Sequence, residues 1–233
     1  TVRALAEHKD EDEIEKIKAA QHITDEAFTA VVSLLRYHMT EIEVAAEIEY
    51  QMKKCGAICP SFETIAVSGT NSSRPHGVPR NVTLEKGFLT MDFGCVYQGY
   101  CSDMTRTVVI GKADEEMKRL YNTVLLAQTT AINSFKVGML GKDLDKIARD
   151  IIDEAGYKGC FGHGLGHGVG VYIHENPRVS PAGLTPLTKG HVFTVEPGIY
   201  LKGKYGCRIE DMMIVTAEGG VDITKSRKDL TEI

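Results

Sequence analysis

The chain of 233 residues has no apolar run approaching the ~20 residues that a membrane-spanning helix needs, so no membrane partner is expected. It has no excess of basic charge. The formal net charge is -5, which gives no reason to expect nucleic acid as a partner. It has no C-x-x-C pair among its six cysteines, Cys55, Cys59, Cys95, Cys101, Cys160 and Cys207. In a chain this long they read as free thiols of a reducing compartment, the cytoplasm, and not as a disulfide framework. The opening TVRALAEHKDEDEIEKIKAA lacks a signal-peptide pattern. No linker or low-complexity segment divides the chain. The tripeptide Asp92-Phe93-Gly94 is unaccompanied by the glycine-rich loop, strand lysine or H-R-D block of a kinase. What remains is the composition of a globular chain, 42% hydrophobic and 25% charged, in one large domain or two small ones.

The order of elements occurs twice. Asp10 to Met39 reads as one helix or two joined end to end, with Ile14, Ile17, Ile23, Ala27 and Val31 at roughly helical spacing. Thr40 followed by Glu43 has the pattern of a capping box, opening a helix to about Lys54. FETIAVSG, GFLTMDFGCVYQGY and CSDMTRTVVIG read as strands. Helices return from Asp114 to about Phe135 and from Leu140 to Glu154, stopped by Gly156. GVYIHE, HVFTVEPGIYL and CRIEDMMIVT then read as strands. This predicts an α+β domain of two related halves. Their strands join in one antiparallel sheet, helices cover one face, and a pocket can form on the other.

GHGLGHGVGVYIHE, Gly162 to Glu175, holds His163, His167 and His174 among five alternating glycines. No glycine triplet has the i, i+2, i+5 spacing of a dinucleotide cradle. Alternate glycines cost roughly 1 kcal/mol each inside a helix, so the run is expected to be extended or looped. In a strand His163 and His167 share a face and His174 has opposite parity. Gathering all three needs a bend or bulge, which the glycines are expected to permit.

Four acids sit in strand-like company: Asp92 in FLTMDFGCV, Asp103 in YCSDMTRTVVI, Glu196 in HVFTVEPGIY and Glu210 in CRIEDMMIV. Buried carboxylates are expensive unless paired or bound to metal. Singly, Asp92 reads as a turn residue and Glu196 as a strand end, while Asp103 could pair with Arg106 and Glu210 with Arg208. Together, in matching hairpins beside a histidine cluster, they point to convergence. Two divalent ions would balance four carboxylates, and a donor set dominated by oxygen with one histidine favours manganese. Such a centre activates water and polarises a carbonyl, which is machinery for hydrolysis.

HGLGHGVGVYIHE resembles the signature of the proline-specific metallopeptidases, aminopeptidase P and prolidase. MDFGCVYQGYCSDMTRT, FTVEPGIY and RIEDM resemble further blocks of that family, in the same order, from about Val2 to the last strand. The resemblance implies the pita-bread fold, a pseudo-twofold antiparallel sheet covered by helices. It implies one catalytic domain, residues 1–233, with the family's N-terminal domain absent from this chain. It implies metal ligands Asp92, Asp103, His167, Glu196 and Glu210, holding two divalent ions, with cobalt, zinc or iron able to replace manganese. By the same resemblance His76, His163 and His174 contact the substrate carbonyl, shuttle protons and steady the tetrahedral intermediate, with His174 near the proline pocket. Glu196 carries the proton to the leaving nitrogen. The implied activity is hydrolysis of the bond before proline, as Xaa-Pro aminopeptidase or Xaa-Pro dipeptidase, on peptides with proline second. A homodimer is compatible with it.

Two other readings stand beside this one: a methionine aminopeptidase-like enzyme, and a non-catalytic pita-bread domain that binds peptides or proteins. The SDMTRT and YIHENP blocks favour the proline-specific branch, and the presence of all five ligands argues against a binding module. His8, His22 and His38 read as surface residues, His191 stands outside the motifs, and Arg208 occupies a motif position of undefined role.

Overall fold

The computed structural model describes residues 6–233. The first five residues of the expected 1–233 domain, including Val2 where the resemblance begins, lie outside the described residues.

Helix α1 (Glu11–Leu34) is opened by Asp10, whose side chain accepts from the Glu13 N–H while Glu13 reaches back to the Asp10 N–H. Helix α2 (Glu41–Lys54) is opened the same way by Thr40 and Glu43, the expected capping box. In the second half Asp114 caps α3 (Glu115–Ser134) by accepting from the Met117 N–H. Helix α4 (Gly141–Ile152) runs into a wide turn, Asp153–Tyr157, that ends the helix at Gly156 with φ 94°.

Between α2 and α3 lie β1 (Cys59–Pro60), β2 (Ile65–Ser68), β3 (Gly87–Phe93), β4 (Cys95–Tyr97), β5 (Tyr100–Cys101) and β6 (Met104–Ile110). After α4 come β7 (Gly166–Gly168), β8 (Glu175–Val179), β9 (Val192–Val195), β10 (Gly198–Leu201), β11 (Tyr205–Arg208), β12 (Asp211–Val215) and β13 (Gly220–Asp222). The first half orders its main sheet β2-β3-β6, and the second half repeats this as β7-β9-β12, flanked by β8 and β13. Each helix pair covers its own sheet. Phe28, Val31, Val44 and Ile48 pack on Leu89, Met91, Phe93 and Val108. Leu120, Val124, Leu144 and Ala148 pack on Phe193, Val195 and Met213. Among the described residues no helix is long and apolar enough to cross a membrane.

Among the described residues the strands pair antiparallel, but hydrogen bonding divides them into four sheets where the sequence suggested one. Most stretches that read as strands are broken: GFLTMDFGCVYQGY at Gly94 and again at Gln98-Gly99, and CSDMTRTVVIG at Ser102-Asp103. HVFTVEPGIYL breaks at Glu196-Pro197, where proline has no N–H for the ladder. CRIEDMMIVT breaks at Ile209-Glu210, where the Glu210 N–H leaves its own hairpin and donates to the Thr105 carbonyl of β6. GVYIHE is an irregular turn between β7 and β8, closed by the Gly170 N–H on the Tyr172 carbonyl. The acids therefore stand at strand breaks and strand ends more than inside strands.

Candidate functional site

Strand alternation aims the acids. On β3, Leu89, Met91 and Phe93 face the helices, so Thr90 and Asp92 project the other way. On β6, Met104, Val108 and Ile110 face the helices, so Thr105 and Thr107 point away, with Asp103 in step just before the strand. On β9, Phe193 and Val195 enter the second core, leaving Thr194 opposite and Glu196 in step with it. Strand β7 delivers His167.

His167 Nε2 lies 3.4 Å from Asp103 Oδ2 and 3.4 Å from Glu196 Oε1. Ligand atoms of Asp103, His167 and Glu210 all fall within 4.8 Å of one another. His167 Nδ1 sits 3.1 Å from the Gly168 carbonyl oxygen. A carbonyl only accepts, so Nδ1 carries the proton. Burial lowers the His167 pKa and keeps the ring neutral. The Nε2 lone pair is thus turned toward carboxylates.

Those carboxyls are themselves short of positive charge. Burial first, then the charges of Glu210, Asp92 and Glu196, hold Asp103 well above the usual carboxylate range. Burial, then Glu196 and Asp92, do the same to Glu210. Burial pushes Glu196 up to about 8, with Arg208 opposing and Asp92 adding. Asp92 Oδ2 accepts from Arg208 Nη2 at 2.5 Å, while its buried Oδ1 has no hydrogen-bond partner among the described residues. A lone pair on nitrogen, an orphaned carboxylate oxygen and three destabilised carboxylates fit a divalent first-row cation. Asp92 and Glu196 flank the tightest group of three without belonging to it.

The two bland pairings are not formed. Arg106 bonds Asp211 at 2.7 Å, because its position on β6 faces away from Asp103. Arg208 bonds Asp92 and not Glu210.

His76, His163 and His174 line one cleft with Asp92, Asp103, His167, Glu196, Arg208 and Glu210, of about 980 Å³. The His174 ring lies 4.4 Å from that of His167, and His163 Nδ1 is 4.0 Å from Glu196 Oε2. The histidines of unlike parity do meet, through a register shift between Gly166 and Gly168 and the turn after it. His163 Nδ1 donates to the Gly164 carbonyl at 2.8 Å. Its Nε2 therefore accepts from the Tyr200 hydroxyl, 2.9 Å away, which in turn accepts from Arg208 Nη1 at 2.6 Å. Burial, then the Arg208 charge, lower His163 to about 3.

The glycines of the run act differently from expectation, since none from Gly162 to Gly170 has positive φ. They permit close approach. A Cβ on Gly166 would stand 1.9 Å from the Thr194 carbonyl oxygen, and one on Gly168 would stand 2.1 Å from that of Asn176. His8, His22 and His38 are exposed as expected. His191 is buried, with Nδ1 accepting from the Thr188 N–H at 3.0 Å.

Sequence reasoning missed the groups that hold the acids. Thr105 Oγ1 donates to Glu210 Oε2 at 2.6 Å, and Thr194 Oγ1 donates to Glu196 Oε1 at 3.1 Å. Their one trace in the sequence is a two-residue offset, Asp103, Thr105 and Thr107, then Thr194 and Glu196, which any strand threonine can show. Tyr200 had no such signal.

The profile of metallopeptidase family M24 matches residues 15–217. The chain belongs to that family. A Xaa-Pro dipeptidase of Pyrococcus horikoshii is 45% identical over 230 residues, 98% of the M24 chain and 66% of that protein. The structure of an X-Pro aminopeptidase from Thermotoga maritima matches with TM-score 0.97 at 44% identity, over 100% of this chain and 66% of the other. A prolidase from Pyrococcus furiosus matches with TM-score 0.95 at 44% identity, over 97% and 67%. The M24 chain thus spans about two thirds of the length of these relatives. Their likeness bears out the α+β pita-bread fold.

Proposed function

We propose that this M24 chain hydrolyses the peptide bond before proline, as the catalytic part of a Xaa-Pro dipeptidase or Xaa-Pro aminopeptidase. The observation that carries the reading is the unprotonated His167 Nε2 facing Asp103 and Glu196 at 3.4 Å in a cleft with room for a short peptide. The names of the relatives support proline as the second residue.

Asp92, Asp103, His167, Glu196 and Glu210 would hold two divalent ions, manganese by the oxygen-rich donor set. Such ions, when bound, polarise a scissile carbonyl and lower the pKa of water. The chain's own side chains do the rest. Thr105 and Thr194 fix the carboxylates of Glu210 and Glu196 by one hydrogen bond each. Arg208 offsets the charge of Asp92 and leaves Oδ1 for a cation. Tyr200 holds His163 in one tautomer. His76 and His174 line the cleft where a substrate carbonyl would lie. Glu196 stands between the two histidines, with Oε1 3.4 Å from His167 Nε2 and Oε2 4.0 Å from His163 Nδ1, where it can take up a proton released by water. The proline nitrogen has no proton of its own and leaves poorly as an anion, so Glu196 is the group that supplies one. Six unbonded thiols support a cytoplasmic site, and a homodimer, checked by sedimentation, completes the proposal.

The test pairs metal analysis with hydrolysis of X-Pro, X-Pro-Y, longer and Met-Ala peptides. Manganese-dependent cleavage of proline peptides is expected. Preference for Met-Ala would move the chain to the methionine aminopeptidases. No bound metal and no hydrolysis would leave a binding domain.

A further inference from the structure

We propose that Glu41 is a positioning residue for His76: a buried clamp that closes both ends of loop 69–80 and so sets where His76 stands in the cleft. This rests on the hydrolase reading above.

Glu41 is the first residue of α2 and is fully buried. A buried carboxylate needs partners, and this one has them on both oxygens. Oε1 accepts from the Ser68 N–H at 2.8 Å, the Ser68 hydroxyl at 3.0 Å and Arg80 Nη2 at 2.9 Å. Oε2 accepts from Asn71 Nδ2 at 3.0 Å, the Arg80 N–H at 2.9 Å and Arg80 Nε at 3.0 Å. Ser68 ends β2 where the loop begins, and Arg80 stands where it finishes. One carboxylate therefore joins the loop's start to its end. Asn71 adds a crossing bond, donating to the Val78 carbonyl at 3.1 Å. These partners lower the Glu41 pKa even against burial, so the clamp is an anion.

The loop is also held by its own 3-10 turn, Gly69–Ser73, by the Gly206 N–H on Ser72 Oγ at 3.0 Å and by the Ile42 N–H on the Arg80 carbonyl at 3.4 Å, but none of these ties its start to its end. None of residues 69–80 belongs to a hydrophobic cluster. On its inner side the Pro75 carbonyl accepts from Arg208 Nη1 at 3.2 Å, the same arginine that holds Asp92. His76 follows Pro75 and lines the cleft. The loop is thus suspended between an arginine of the site and a carboxylate behind it, with His76 beside the inner attachment. Loss of the clamp unties the loop's two ends from each other and loosens the segment that carries His76.

The test uses the full chain loaded with manganese. Glu41→Gln keeps the volume but turns an accepting oxygen into a donor that faces donors. Arg80→Gln, at a half-exposed residue, serves if the first variant folds poorly. Hydrogen exchange of the 69–80 amides should accelerate, and the His76 ring signals should shift by NMR. Turnover of an X-Pro peptide should fall on the order of 10²-fold, the loss that a misplacement of roughly 1 Å causes, with metal affinity unchanged. In a His76→Ala background the same substitution should cost no further activity. Equal losses in both backgrounds, unchanged exchange, or a matching loss of metal would overturn the proposal. A parent protein that cleaves no proline peptide is the failure of the hydrolase reading instead, seen before any variant is made. The clamp is then judged on the exchange and the His76 signals alone.

Discussion

In the first half Asp92 meets a guanidinium, Arg208, at 2.5 Å. In the second half the side chains of Glu210 and Glu196 accept hydrogen bonds from threonine hydroxyls, at 2.6 and 3.1 Å. The partners cross over: Arg208 comes from β11 to serve the first half, and Thr105 comes from β6 to serve the second. A guanidinium neutralises as well as orients, whereas a hydroxyl only orients. Burial first, then neighbouring carboxylate charges, hold both glutamates above the usual carboxylate range, and Asp103 of the first half with them. Positive charge is missing where the halves meet, around Asp103, Glu196 and Glu210, and a cation there relieves the most repulsion.

The largest effect should come from Glu210→Gln. Removing that carboxylate should lower proline-peptide hydrolysis by about 10³-fold or more and weaken metal loading. Full activity at equal metal content would remove Glu210 from the ligands. Next come the two kinds of partner. Arg208→Met leaves Asp92 buried and uncompensated, and should destabilise the fold by about 3–5 kcal/mol. Thr105→Val, removing a neutral donor from Glu210, should cost about 1–3 kcal/mol. Denaturant melts of both variants in chelator rank them, and equal losses would break the contrast between the halves.

The broad layout was legible because helices announce their ends. Asp10, Thr40 and Asp114 each stand where a cap was expected or one residue ahead of the helix. The doubled order also survives, as β2-β3-β6 and β7-β9-β12. The strand breaks at Glu196 and Glu210 were not legible, since alternation looks the same on both sides of them. At Glu210 the break follows from a hydrogen bond to Thr105, over a hundred residues earlier in the chain. All the expected site residues were placed in one cleft by motif resemblance. Their holders were not, because a threonine in a strand usually signals only β-propensity.

A pH series reads the missing charge directly. Glu196 folds with its pKa raised from 4.5 to about 8 in the absence of a cation. Between those values the folded state binds more protons than the unfolded one. Stability of the metal-free protein should therefore fall as pH rises from 5 to 8, by up to about 1.4 kcal/mol per pH unit for each such group. Thermal melts in chelator should show the fall, added manganese should oppose it most at pH 8, and Glu196→Gln should flatten it. A metal-free protein whose stability rises across that window would mean the acids are compensated by the chain itself.

The smallest effect separates β7 from its counterpart β2. Strand β2 reads Ile-Ala-Val-Ser and has one neighbour, β3, whereas β7 reads Gly-His-Gly and lies between β9 and β8. Side chains fit beside a strand with one neighbour; in β7, Gly166 is pressed by the Thr194 carbonyl of β9 and Gly168 by the Asn176 carbonyl of β8. If close approach explains the glycines, the run should divide sharply on substitution. A Cβ on Gly162 meets nothing within 4 Å and the backbone there does not have positive φ. Gly162→Ala should then change stability by less than about 0.5 kcal/mol, with manganese affinity unaltered. Gly166→Ala, driven against the Thr194 carbonyl, should displace His167 and weaken manganese binding. If Gly162→Ala weakened manganese binding as much as Gly166→Ala, the run would owe its glycines to backbone freedom along its length, and the contrast between β2 and β7 would lose its physical cause.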